Sequence, residues 1–131
     1  MKTFRILVVD DEPRLSSLLK KMLESNGDYE VKEENRPQHA LSAALEFKPD
    51  LILLDVVMPG KDGGEVANEI RANHQLHDTP ILFLTALISK SDTDSKTITR
   101  GAYEYMAKPV DPVLLNQRLE QILDPHKTCG V

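Results

Sequence analysis

A single cysteine, Cys129, is all that this chain of 131 residues carries, and it lies in a polar C-terminal stretch with no base nearby. That excludes a disulfide framework and gives a catalytic thiol no support. No apolar run approaches the roughly 20 residues that cross a bilayer. Met1 and Lys2 pass straight into an apolar run, which leaves no room for a signal peptide. The expectation is a soluble, cytoplasmic chain with no membrane partner. Basic charge is short as well: 16 Lys and Arg against 21 Asp and Glu give a net charge of −5. With no basic stripe to neutralise phosphates, direct nucleic-acid binding is not expected. His74, His77 and Asp78 lack further ligands at zinc spacing. His39 and His126 have no partners in sequence. Gly60, Gly63 and Gly64 lack the spacing of a phosphate-cradling loop and read as turn residues. Internal repeats, low-complexity tracts and a second-domain linker are missing too, so residues 1–124 read as one domain and 125–131 as a short polar tail.

What is present is a set of short apolar runs, each bounded by turn residues and read as a buried strand. Phe4–Val9 runs into Asp10 and Asp11. Residues 51–54 run into Asp55, 81–84 into Thr85, and Tyr103–Ala107 into Lys108. Tyr29–Glu34, whose one aliphatic residue is Val31, reads as an edge strand. In an open parallel sheet, ligands sit outside the carboxyl ends of the strands, where strand order reverses. Three carboxylates, a hydroxyl and an amine would then gather at one rim.

Helical patterns alternate with these strands. Leu15, Leu18, Leu19, Met22 and Leu23 share one helical face, behind Pro13 in a first turn and ahead of Gly27 as a stop. Pro37 opens a helix with Ala40, Leu41, Ala44 and Leu45 inward. Asp62 and Glu65 form a capping box before Val66, Ala67 and Ile70. Asp111–Pro112 starts the last helix, with Leu115, Leu119, Ile122 and Leu123 inward. Residues 88–100, rich in Ser, Thr and Asp, read as a short, marginal helix. The alternation, closed by right-handed crossovers, gives a three-layer α/β sandwich around a parallel sheet.

Asp10–Asp11 before Glu-Pro, Asp55 before Val-Val-Met-Pro-Gly-Lys-Asp-Gly, Thr85–Ala86 and Lys108–Pro109 together resemble the response-regulator receiver domain of two-component signalling. Taken singly, each has an ordinary reading: helix-start carboxylates, a strand-end turn residue, a local cap, a surface lysine. Four in order at the ends of successive strands are specific. The resemblance implies a doubly wound, flavodoxin-like fold with five parallel strands in the order 2-1-3-4-5. It implies that Asp11 and Asp55 ligate Mg²⁺ directly, Asp10 through water, and the Val57 backbone carbonyl as a further oxygen. Asp55 would take a phosphoryl group from a histidine kinase or phosphotransfer protein. This is self-catalysed transfer, with no turnover of a free substrate.

The chemistry of the residues agrees. A carboxylate can accept a phosphoryl group as an acyl phosphate. Clustered carboxylates repel unless a hard cation sits among them, and Mg²⁺ takes one or two together with waters. Lys108 would neutralise phosphoryl charge, and the Thr85 hydroxyl would bond a phosphoryl oxygen. By resemblance, Thr85 and Tyr105 form a switch, and a cis bond before Pro109 aims Lys108. The output face comprises the expected 88–100 helix, the Tyr103–Ala107 strand and the last helix, where a phosphorylation-dependent dimer is a further implication. Tyr103 and Val113 depart from the acidic residues that complete the dimer salt bridges of receivers attached to winged-helix domains. Val57 and Leu87 stand where receivers flank the water that removes the phosphoryl group, and both are apolar, which implies a long-lived phosphoryl group. The downstream effector or output domain lies outside this chain. The alternative reading is a receiver-like interaction module that signals without phosphorylation. A phosphatase of the same fold class would need a second acid at Val57.

Overall fold

The computed structural model describes residues 3–25, 27–85, 97–100, 103–108 and 110–123. In chain order the elements are β1 (Phe4–Val9), α1 (Pro13–Glu24), β2 (Tyr29–Glu34), α2 (Ala40–Phe47), β3 (Leu51–Asp55), α3 (Gly63–Ala72), β4 (Ile81–Thr85), β5 (Thr97–Arg100), β6 (Tyr103–Ala107) and α4 (Pro112–Leu123). A 3₁₀ turn, Pro37–His39, leads into α2. The sheet order is β2-β1-β3-β4-β6-β5. Five strands are parallel in the expected 2-1-3-4-5 order, and β2 is the expected edge on one side.

One expectation is corrected. The last residues of the 88–100 segment are a strand, not a helix: β5 pairs antiparallel with β6, Ile98 opposite Tyr105. Thr-Ile-Thr places β-branched residues in succession, and these favour the pleated backbone over the helix. The rest of that segment's expected helix lies outside the described residues.

Alternation along the parallel strands splits the core in two. Ile6, Val8, Leu51, Leu53, Leu82, Leu84 and Met106 pack under α1 and α4; Leu7, Val9, Ile52, Leu54, Ile81 and Phe83 pack under α2 and α3. Residues Leu51 to Leu54 are completely buried, as a central strand covered on both faces must be. Each such side chain contributes about 1.5–3 kcal/mol of burial.

The helix signals act locally as their chemistry dictates. Asp62 accepts from the Glu65 N–H, and Asp111 Oδ1 accepts from Val113 N at 3.0 Å, capping α3 and α4. The α1 face is a second correction. Leu19 and Leu23 are buried, but Leu18 is 54 % exposed, and Ser16 is fully buried in its stead. A helical stripe centred on Leu19 and Leu23 turns Leu18 to its margin. The buried Ser16 hydroxyl is satisfied by hydrogen bonding. Among the described residues, no helix is long and apolar enough to cross a membrane.

Candidate functional site at the carboxyl rim of the sheet

The strand order reverses between β1 and β3, so their carboxyl ends open a crevice. Asp10 follows β1 and Asp55 ends β3, and both are buried, at 1 % and 6 % exposure. Asp11 is half-buried beside them. Carboxylate oxygens of Asp10, Asp11 and Asp55 all lie within 4.8 Å of one another. Lys108, one residue past β6, reaches across: its Nζ donates to Asp55 Oδ1 at 3.0 Å and to Asp10 Oδ2 at 3.3 Å. Its backbone N–H donates to the Thr85 carbonyl at 2.9 Å, which extends the β4–β6 ladder and aims the lysine stem.

The electrostatics follow from this crowding. Burial raises the Asp55 carboxyl above its ordinary value and the Asp10 charge adds to this, while the Lys108 bond and charge and the Val57 N–H offset it only in part. Burial alone would depress the Lys108 ammonium, but Asp55 and Asp10 outweigh it and the net shift is upward. Three acidic oxygen donors in one crevice, with no soft ligand among them, match a hard cation such as Mg²⁺.

Thr85 ends β4, buried at 2 % exposure and paired with Ala107, one residue before Lys108. Val57 is 62 % exposed in the loop after β3, and its N–H points to the Asp55 carboxylate. Gly63 opens α3 against the back of Asp55. A Cβ there would collide with the Asp55 carbonyl and come within 2.9 Å of Val56 Cα, so only glycine allows this approach. Tyr105 lies opposite Phe83 in the β4–β6 ladder, and their rings stack at 4.9 Å between centroids and 16° between planes. Pro109 and Leu87 lie outside the described residues. Three residues that shape this region carry no sequence motif: Asn35, Ser16 and Phe83. Asn35 had one available signal, a polar side chain just past the strand that neighbours β1.

The chain matches the family model of the response regulator receiver domain over residues 6–120. It is 38 % identical over 120 residues to the phosphate regulon transcriptional regulatory protein PhoB of Pseudomonas aeruginosa, covering 90 % of this chain and 51 % of that protein. Among solved structures it is similar to the chemotaxis protein CheY4 of Vibrio cholerae, with a TM-score of 0.78 and 31 % identity over 92 % of this chain and 99 % of that one. It is similar as well to the receiver domain of the sensor histidine kinase PA1611 of Pseudomonas aeruginosa, which holds a magnesium ion in its active-site cleft. There the TM-score is 0.76 and the identity 30 %, over 92 % of this chain and 98 % of that one. The chain belongs to the response regulator receiver domain family. It spans about half the length of the regulators such as PhoB that it matches. Receiver domains are signalling proteins rather than classical enzymes, phosphorylation and Mg²⁺ are typical of them, and they work with histidine kinases and output domains.

Proposed function

We propose that this domain takes a phosphoryl group from a phosphohistidine of a kinase or phosphotransfer protein onto Asp55, and relays the change to a partner or output domain. The observation that carries the reading is the carboxylate triangle of Asp10, Asp11 and Asp55 within 4.8 Å, with the Lys108 ammonium 3.0 Å from Asp55. Asp10, Asp11, Asp55 and the Val57 carbonyl would hold Mg²⁺. Bound there, the ion supplies positive charge for the transferring phosphoryl oxygens.

A carboxylate oxygen of Asp55 attacks phosphorus as the P–N bond to the donor imidazole breaks; the ring nitrogen keeps the electron pair and takes a proton. Lys108 turns from its carboxylate partners to a phosphoryl oxygen. The Thr85 hydroxyl donates to another oxygen once the group is attached. Tyr105 then responds to the movement of Thr85, a two-state element biased by new charge and new hydrogen bonds. Residues 1–124 form the working unit and 125–131 its tail.

Intact-mass measurement after incubation with Mg²⁺ and acetyl phosphate tests this. The wild type should gain one phosphoryl group, and Asp55→Asn or a chelated sample should gain none. Undiminished labelling of Asp55→Asn would remove Asp55 from the role. No gain in the wild type would favour an interaction module that signals without phosphorylation.

A further inference from the structure

The end of β2 reaches over the turn that carries Asp10 and Asp11. Asp10 lies one residue beyond the last β1–β2 pair, Val9 opposite Glu34. Its N–H donates to the Glu34 carbonyl at 3.1 Å, and its own carbonyl accepts from Asn35 Nδ2 at 2.8 Å. The same amide nitrogen donates its second proton to Ser16 Oγ at 2.9 Å. Ser16 has one proton to give. The Glu33 carboxylate receives it at 2.8 Å, a shorter contact than the 3.2 Å to the Pro13 carbonyl. Ser17 donates to the same Glu33 oxygen at 3.0 Å.

The donor direction is consistent along the whole path, from amide to hydroxyl to carboxylate. That fixes the Asn35 side chain, because a flipped amide would set its oxygen against the Asp10 carbonyl. Asp10 is tied on its side chain as well: Oδ1 accepts from the Glu12 N–H at 2.9 Å. The turn between Asp10 and Glu12 determines where the Asp11 carboxylate stands. Its anchors include that side-chain bond, the Asp10 N–H on the Glu34 carbonyl and, on the Asp10 carbonyl, the Asn35 amide.

We propose that Asn35 is a positioning residue for the cation site: held by Ser16 and Glu33, it fixes the Asp10 carbonyl and thereby sets the affinity of the carboxylate cluster for a divalent cation. This rests on the phosphoacceptor reading of the same carboxylates. Groups that orient metal ligands from behind typically cost about 10–100-fold in metal affinity when removed. Asn35 acts through the main chain, so its effect belongs at the lower end.

Calorimetric titration of Mg²⁺ into the wild type, Asn35→Ala, Ser16→Ala and the double variant tests this, with urea midpoints measured in chelator. Asn35→Ala should raise the Mg²⁺ Kd about tenfold. At saturating Mg²⁺, labelling by acetyl phosphate should return to within about twofold of wild type. Ser16→Ala should weaken Mg²⁺ in the same direction. The double variant should be no worse than Asn35→Ala, because the two side chains act along one path. A residue that only stabilises the end of β2 would lower the urea midpoint and leave the Mg²⁺ Kd of the folded protein unchanged, and that result overturns the assignment. So does strict additivity of the two single effects. If Asn35→Ala fails to fold, Ser16→Ala carries the test through its own Kd. A wild type that takes up no Mg²⁺ would defeat the phosphoacceptor reading and this inference together. Uptake that is unchanged in Asn35→Ala defeats this inference alone.

Discussion

At Asp55 a nearly buried carboxylate faces a second one, Asp10, and the two share the Lys108 ammonium. The net effect of burial, Asp10 and Lys108 is a carboxyl raised above its ordinary 3.8. The folded protein therefore holds this proton more tightly than the unfolded chain does. The stability contributed by the group is present at low pH and is lost as pH rises from 3.8 through the folded value. Above the folded value and without metal, Asp55 ionises at a cost to folding. Asp55→Asn should accordingly raise the metal-free urea midpoint at pH 7 and flatten its decline above the acid range. A lower midpoint would mean that the Lys108 ion pair dominates. Mg²⁺ should reverse the ranking, since a ligand at a hundred times its Kd stabilises by about 2.7 kcal/mol. Val57 supplies a second residue-level test. Its exposed, apolar side chain cannot hold a water in line with the Asp55–phosphorus bond. The phosphoryl group should last hours at neutral pH with Mg²⁺, and Val57→Asn should shorten this about tenfold if one orienting contact of about 1–2 kcal/mol is restored. Decay of the wild type within seconds, or an unchanged decay in the variant, would place water control elsewhere.

Between β4 and β6, Phe83 and Tyr105 join the strand that ends in Thr85 to the strand that leads to Lys108. Such ring pairs contribute about 0.5–1.5 kcal/mol beyond burial. A double-mutant cycle with Phe83→Leu and Tyr105→Leu should return a coupling of about 1 kcal/mol in urea unfolding; additivity would show that the rings merely share a neighbourhood. The stack was not legible in the sequence, because period-2 alternation places Tyr105 on a face without saying which residue of β4 lies in register. Strand and helix identity was far more legible. Buried runs, Pro13, the Asp62 cap and the Asp111 cap are local signals, and local chemistry decides them. Leu18 departs from the expected inward face because a helical period of 3.6 fixes a stripe only to within one residue's rotation. Residues 97–100 depart from the expected helix because their strand exists only through pairing with β6, a tertiary contact that composition does not encode.

At the scale of the molecule, the doubly wound order brings Asp10, Asp55, Thr85 and Lys108 to one rim, while α4 packs against Met106 of β6 on one face of the sheet. On that face Arg118 forks onto Glu104, Nε lying 2.6 Å from Oε2, and ties α4 to β6 within the chain. Phosphorylation should change amide exchange most around Tyr105 and Arg118 and in the neighbouring segment that includes Ile98; a phosphorylation-dependent dimer would use the same face. Changes confined to α1 and α2 would locate the output elsewhere. The candidate site was legible because strand ends are set by short-range signals and the strand-end rule then collects them. The Asn35–Ser16–Glu33 path was not, since α1 and the end of β2 meet only in the folded protein. Borohydride reduces an acyl phosphate to the alcohol, so protein treated with Mg²⁺ and acetyl phosphate, then reduced and mapped by peptide mass spectrometry, reports the acceptor directly. Homoserine at position 55 is the predicted result; homoserine at position 10 or 11, or none anywhere in a protein that had gained phosphoryl mass, would contradict it.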